Sequence, residues 1–166
     1  AEIAEDTIGD DVEGVAGANN FSNTFDARAL DSLTFLLGGA QSDTFQGGSG
    51  TDQIVALAGN DVLYGNDGVD ALIGEGGDDD LFGGAGGDVF FFGSGDGADV
   101  IHDFEAGLDR IFFTNPQIDS LADLSLSTVN ADGGGIANDT RITYDGSATI
   151  TVLNVDEAGV QNVIHL

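Results

Sequence analysis

Six aspartates stand nine residues apart in the middle of the chain: Asp43, Asp52, Asp61, Asp70, Asp79 and Asp88. Each lies two residues before a large apolar residue, in turn Phe45, Ile54, Leu63, Leu72, Leu81 and Phe90. In five of the six cases a glycine stands two residues before the aspartate, at Gly50, Gly59, Gly68, Gly77 and Gly86; Gln41 takes that place once. Carboxylates and main-chain carbonyls in a glycine-rich turn are hard oxygen donors, the ligand set of Mg²⁺ and Ca²⁺. The rest of the composition removes competing metals. The chain has no Cys and no Met, and its two histidines, His102 and His165, are isolated, so soft and borderline ions lack their usual ligands.

The elements that must position these residues follow from the same period. From Gly38 the chain divides into six nine-residue blocks: GGAQSDTFQ, GGSGTDQIV, ALAGNDVLY, GNDGVDALI, GEGGDDDLF and GGAGGDVFF. The first six positions of a block are rich in glycine and read as a turn. The last three carry apolar and β-branched side chains and read as a very short strand. Strand, turn, strand, turn returns the chain beside the segment two blocks earlier, so Asp43, Asp61 and Asp79 fall on one edge and Asp52, Asp70 and Asp88 on the other. The position-eight side chains then point inward from both sheets and form a thin apolar core.

The pattern G-G-x-G-x-D-x-U-x, with U a large apolar residue, resembles the RTX (repeats-in-toxin) family of calcium-binding nonapeptide repeats. Members include secreted bacterial proteases, lipases, haemolysins, adhesins and mannuronan C-5-epimerases. The resemblance implies an all-β fold, a calcium-bound parallel β-roll with two nonapeptides per coil. It also implies that the six repeat aspartates and the glycines at positions 50, 59, 68, 77 and 86 form the metal sites. Adjacent strands lie about 4.8 Å apart and Ca²⁺–O bonds measure about 2.4 Å, so an ion between stacked turns finds oxygens on both sides. Several hard ligands suit Ca²⁺ better than octahedral, strongly hydrated Mg²⁺. Three turns per edge leave two complete gaps per edge, hence about four ions or more. Without metal, stacked carboxylates repel and so thin a core offsets little chain entropy.

The flanks are read more loosely. Residues 1–13 are acidic without an apolar stretch, an expected linker from a longer protein rather than a signal peptide. Residues 14–37 are expected to be degenerate N-terminal coils; residues 14–22 fit the nonapeptide loosely, and Arg28 then takes an Asp position where it would oppose a cation. Residues 38–111 form the roll and its closing segment, where Asp99 and Ile101 imitate positions six and eight at a spacing of eleven from Asp88. Asp99, Asp103 and Asp109 are additional candidate ligands there. Residues 112–166 are expected to be a β-rich C-terminal cap. It should hold a short helix around Leu121, strands at 140–144 and 148–153 about an Asp145-Gly146 turn, and a last strand at 160–166. The resemblance implies that this cap carries an uncleaved signal for type I secretion.

Charge narrows the function classes. Thirty acidic residues stand against three arginines, a net charge of −27, which repels nucleic acid and anionic membrane surfaces alike. No apolar run approaches the ~20 residues of a spanning helix, so membrane insertion is not expected. The chain carries no HExxH, no G-x-S-x-G and no glycine loop followed by Lys, so it is not expected to be an enzyme. The expected function is that of a secreted or cell-surface bacterial module. It would fold on calcium after export, stabilise a larger parent protein and assist its passage through the type I secretion machinery. The alternative is a polysaccharide-binding or surface-assembly (adhesin or S-layer) module built on the same roll.

Overall fold

The computed structural model describes residues 15–16, 22–31, 33–133 and 138–166. The expected linker (1–13) and most of the first degenerate coil (14 and 17–21) lie outside the described residues.

Successive strands alternate between two sheets. One sheet runs β1 (Val15–Ala16), β3 (Thr34–Leu37), β5 (Asp52–Val55), β7 (Ala71–Ile73), β9 (Val89–Phe92), β11 (Arg110–Phe113) and β15 (Ile164–His165). The other runs β2 (Thr24–Asp26), β4 (Thr44–Gln46), β6 (Val62–Gly68), β8 (Asp80–Gly86) and β10 (Ala98–Ile101). It continues into β14 (Ala148–Val152), β13 (Asp139–Tyr144) and β12 (Ser125–Val129). The roll strands pair in parallel, and only β12, β13 and β14 pair antiparallel. The expected parallel β-roll, two nonapeptides to the coil, is therefore the fold.

Register follows from the apolar column. Phe45 pairs with Leu63 and Leu63 with Leu81 in one sheet; Ile54 pairs with Leu72 and Leu72 with Phe90 in the other. All six are fully buried. A slip by one residue would turn every one of them outward, which fixes the pairing. The columns extend at both ends, to Phe25 and Leu36 upstream and to Ile101 and Ile111 downstream. Val152 and Ile164, from the cap, finish them. Outside, half-exposed rings stack along each sheet. Tyr64, Phe82 and His102 are spaced 4.6 and 4.3 Å apart, and Phe91, Phe112 and His165 are spaced 5.6 and 4.6 Å apart.

Several local expectations are met. The β13–β14 hairpin turns at Asp145 and Gly146, both left-handed (φ +46° and +81°), the conformation a tight hairpin demands. A 3₁₀ turn spans Leu121–Asp123. Others need correction. Residues 160–166 are not one strand. Asp156 caps helix α1 (Glu157–Gln161), its carboxylate accepting from the Gly159 N–H at 2.8 Å, and only Ile164–His165 is extended. Buried Val160 and Val163 are three apart, the helical spacing that wins here. His102 lies just past β10. Phe90, Phe92 and Phe113 join the core, and Phe91 and Phe112 on the alternate positions face outward into the ring stack, as a two-residue strand period requires.

The segment after Phe113 thus supplies the last strand of the odd-numbered sheet and covers β10 in the other. A chain ending at Thr114 leaves β10 and β11 as bare edges, which invite pairing with other chains. We expect that truncated chain to need more calcium to fold and to aggregate by light scattering. A soluble monomer with an unchanged calcium midpoint would show that residues 115–166 are not needed to close the roll.

Candidate metal sites

The repeat aspartates do not point into solvent. All six are buried, together with Asp99 and Asp109. Each sends one carboxylate oxygen to the main chain of the coil before it. On one edge the Asn23 N–H donates to Asp43 Oδ1 (2.7 Å), Asp43 N–H to Asp61 Oδ1 (2.6 Å), Asp61 N–H to Asp79 Oδ1 (2.8 Å) and Asp79 N–H to Asp99 Oδ1 (3.1 Å). On the other the Thr34 N–H donates to Asp52 Oδ1 (3.0 Å), Asp52 N–H to Asp70 Oδ1 (2.8 Å), Asp70 N–H to Asp88 Oδ1 (2.9 Å) and Asp88 N–H to Asp109 Oδ1 (2.9 Å). Two unbroken ladders of carboxylates therefore run along the edges. Asp99 joins its ladder 20 residues after Asp79, and Asp109 joins the other 21 after Asp88, against 18 between the repeat aspartates. The longer turns absorb the extra residues without breaking the stack.

Asp103 stands apart. Its two oxygens accept from the Gly83 and Gly84 N–H groups at 2.8 and 3.0 Å, so it pins a turn from the side. Sequence reasoning missed other polar groups. Asp96 is buried and accepts from the Gly93 N–H. Asp139, fully buried in the cap, accepts from the N–H groups of Asn154 (2.8 Å), Ala131 (2.6 Å) and Asp132 (3.2 Å). Neither lies in the nonapeptide register, so no period could have marked them.

The glycines make the stack possible by close approach. Gly77 has φ +142°, and a Cβ there would lie 1.5 Å from the Gly59 carbonyl oxygen of the coil before. Gly59, Gly68 and Gly86 share this left-handed backbone, while Gly50 does not. At block position one the reason differs: a Cβ on Gly74 would lie 2.1 Å from Asp79 Oδ2.

The second oxygens of the ladder decide the chemistry. Oδ2 of Asp61, Asp70, Asp79, Asp88 and Asp99 is buried with no hydrogen-bond partner. A buried unpaired carboxylate oxygen is costly. Burial, with neighbouring carboxylates adding to it, pushes these acids up to about 6 (Asp61, Asp88), about 7 (Asp70, Asp79) and about 8 (Asp99). Hydrogen bonds from the preceding coil offset only part of this. Each needs a proton or a cation. Among the described residues no three acidic or histidine side chains converge into a cage, so a cation here would be held by a carboxylate and main-chain oxygens. That donor set fits Ca²⁺.

A family model for the RTX calcium-binding nonapeptide repeat (four copies) matches residues 35–63 and 64–98. Residues 35–98 carry RTX calcium-binding repeats. The AlgE6R3 subunit of the Azotobacter vinelandii mannuronan C5-epimerase is similar in structure to this RTX roll. It is 26% identical over 78% of this chain and 80% of that one, with a TM-score of 0.57. The AlgE6R2 subunit of that epimerase aligns at 22% identity over 93% and 91%, TM-score 0.39. The extracellular lipase LipA of Serratia marcescens aligns at 15% over 81% of this chain and 40% of the lipase, TM-score 0.46. No curated protein matches the chain in sequence.

Two outcomes are expected. A raised folded-state pKa means that the metal-free roll binds protons more tightly than the unfolded chain does. The stabilisation is then complete below the unfolded carboxylate value and disappears as pH rises through about 6 to 8. In chelator, the β signal in circular dichroism should therefore be strongest near about pH 4 and fall by about pH 8. A signal that is flat or grows with pH contradicts the buried ladder. The second concerns glycine. Gly77→Ala meets both a left-handed backbone and a main-chain clash, whereas Gly95 (φ +80°) has nothing within 4 Å of its added Cβ. Gly95→Ala should cost about 1–2 kcal/mol and Gly77→Ala considerably more, read as thermal unfolding with calcium present.

Proposed function

We propose that the chain is a calcium-dependent folding module of a secreted bacterial protein, unfolded where free calcium is scarce and closing into its roll outside the cell. The observation that carries this reading is the row of buried carboxylate oxygens without partners. Anionic oxygens packed along two edges oppose their own fold until a cation neutralises them, so binding free energy becomes folding free energy. The stacked turns would hold the ions through their aspartates and main-chain carbonyls, and bound calcium would supply the positive charge and the remaining coordination. An extracellular module works with calcium affinities of about 0.1–1 mM, far above free cytoplasmic levels. A chain unfolded before export can thread a type I channel, and the folded roll then stabilises the parent protein to which it is joined.

We read the chain as non-catalytic. His102 is held by the Phe82 ring and by Asp80 Oδ1, 2.7 Å from its Nε2, and His165 stacks on Phe112. A polysaccharide platform finds little support on the same faces. Sugar rings stack on open aromatic faces, and Phe82, the inner ring of the Tyr64–Phe82–His102 column, is covered on both faces by its neighbours.

A circular-dichroism titration tests the reading. Chelated protein at neutral pH should lack most of its β signal and gain it cooperatively with Ca²⁺ near about 1 mM, while Mg²⁺ at equal concentration does much less. A full β spectrum in excess chelator at neutral pH, or an equal response to Mg²⁺, overturns it.

A further inference from the structure

The eight aspartates of the two ladders are not equivalent. For three of them the second oxygen is taken from within the same turn, by the N–H of the residue four before: Gly39 to Asp43 Oδ2 (3.1 Å), Gly48 to Asp52 Oδ2 (2.6 Å) and Glu105 to Asp109 Oδ2 (2.7 Å). For Asp61, Asp70, Asp79, Asp88 and Asp99 that oxygen has no partner. The cause is visible in the backbone four residues upstream. Leu57, Asn66, Glu75, Gly84 and Gly95 have φ of +79°, +77°, +63°, +94° and +80°. None of Gly39, Gly48 and Glu105 is left-handed. Five left-handed residues precede five open carboxylates, and three ordinary ones precede three closed carboxylates, without exception.

The separation does not follow the sequence signature. Block 47–55 fits the nonapeptide pattern fully and its Asp52 is closed, whereas block 56–64 begins Ala56-Leu57 and its Asp61 is open. Leu57 and Glu75 adopt a conformation that L side chains resist, although the closed form would give their turns an extra hydrogen bond. Strain kept at the expense of an internal bond points to a ligand.

Taking the calcium reading as given, we propose that side-chain ligation is confined to Asp61, Asp70, Asp79, Asp88 and Asp99, giving five ions. Asp43, Asp52 and Asp109 are turn locks that hold none. Each open carboxylate spans one gap between stacked turns through its Oδ1: Asp43 to Asp61, Asp61 to Asp79, Asp79 to Asp99, Asp52 to Asp70 and Asp70 to Asp88. The Asp88-to-Asp109 gap is sealed by the Glu105 N–H and by Asp103 on the Gly83 and Gly84 N–H groups. Asp99, outside the nine-residue register, is a ligand; Asp52, within it, is not.

Equilibrium dialysis with CaCl₂ on the full chain counts the ions, and thermal unfolding in saturating calcium reports stability. Wild-type protein should bind five ions. Asp52→Asn and Asp109→Asn should still bind five while unfolding at lower temperature, and Asp70→Asn and Asp99→Asn should each bind fewer. A lost ion in Asp52→Asn or Asp109→Asn, or a full complement in Asp99→Asn, overturns the partition. If a variant does not fold, the wild-type count decides: eight ions, or any number other than five, overturns it. A wild-type chain that binds no calcium at all removes the calcium reading itself, a result distinct from a wrong count.

Discussion

Each coil of the roll is tied to the one before it by a buried carboxylate that accepts a main-chain N–H. Parallel strands this short leave the N–H at each turn's end without a ladder partner, and a buried N–H must find an acceptor. Asp is short enough to reach it and anionic enough to bind it well. The same choice buries a charge, which is unfavourable unless neutralised. One side chain thus holds the coils together and makes their stacking conditional. Cohesion and metal demand are two consequences of a single hydrogen bond, that from Asp61 N–H to Asp79 Oδ1 and its equivalents.

The ends of the molecule meet the same need differently. In the cap, Asp139 is as deeply buried as any ladder aspartate, yet three main-chain N–H groups occupy its oxygens. Closure comes from whole strands, β14 laid on β10 and β15 on β11, with Val152 and Ile164 continuing the two apolar columns. Antiparallel pairing of β12, β13 and β14 then carries one sheet beyond the roll with ordinary ladder bonds. A carboxylate satisfied by the main chain makes no demand on solvent ions, so on the proposed reading the cap would not share the roll's need for calcium although both are acidic.

Much of this is legible in the sequence because the repeat is a geometric statement. A large apolar residue at every eighth position of a nine-residue block admits one register, and Phe45 over Leu63 over Leu81 is that register. The ladder aspartates are likewise marked by their period, and Asp99 by its Ile101 two residues on. The state of each turn is not legible. Leu57 and Glu75 carry no local signal for left-handed backbone, and the closed Gly48 would tolerate it more readily than either. Two of the three closed turns, those of Asp43 and Asp52, are the first on their edges and rest on a degenerate coil, at Asn23 and Thr34, instead of on another repeat turn. The helix at Glu157–Gln161 escapes for a similar reason: Val160 and Val163 suit a strand as well as a helix until Asp156 caps the turn.

Coupling between coils follows from where the open oxygens lie. In a one-dimensional stack each unit is stabilised by its neighbours, with no larger core behind it. Here the neighbour contact includes a carboxylate whose Oδ1 already bonds the preceding turn while its Oδ2 waits for a cation. Neutralising Asp79 therefore steadies the turn of Asp61 as well as its own, and a steadied Asp79 N–H is the donor that fixes Asp99. An ion bound in one gap lowers the ordering cost of the next along the same edge. The two edges are linked in turn through the strands between them, because β7 leads from the Asp70 turn directly into the turn of Asp79. On the calcium reading, affinity would belong to the stack and not to any single nonapeptide.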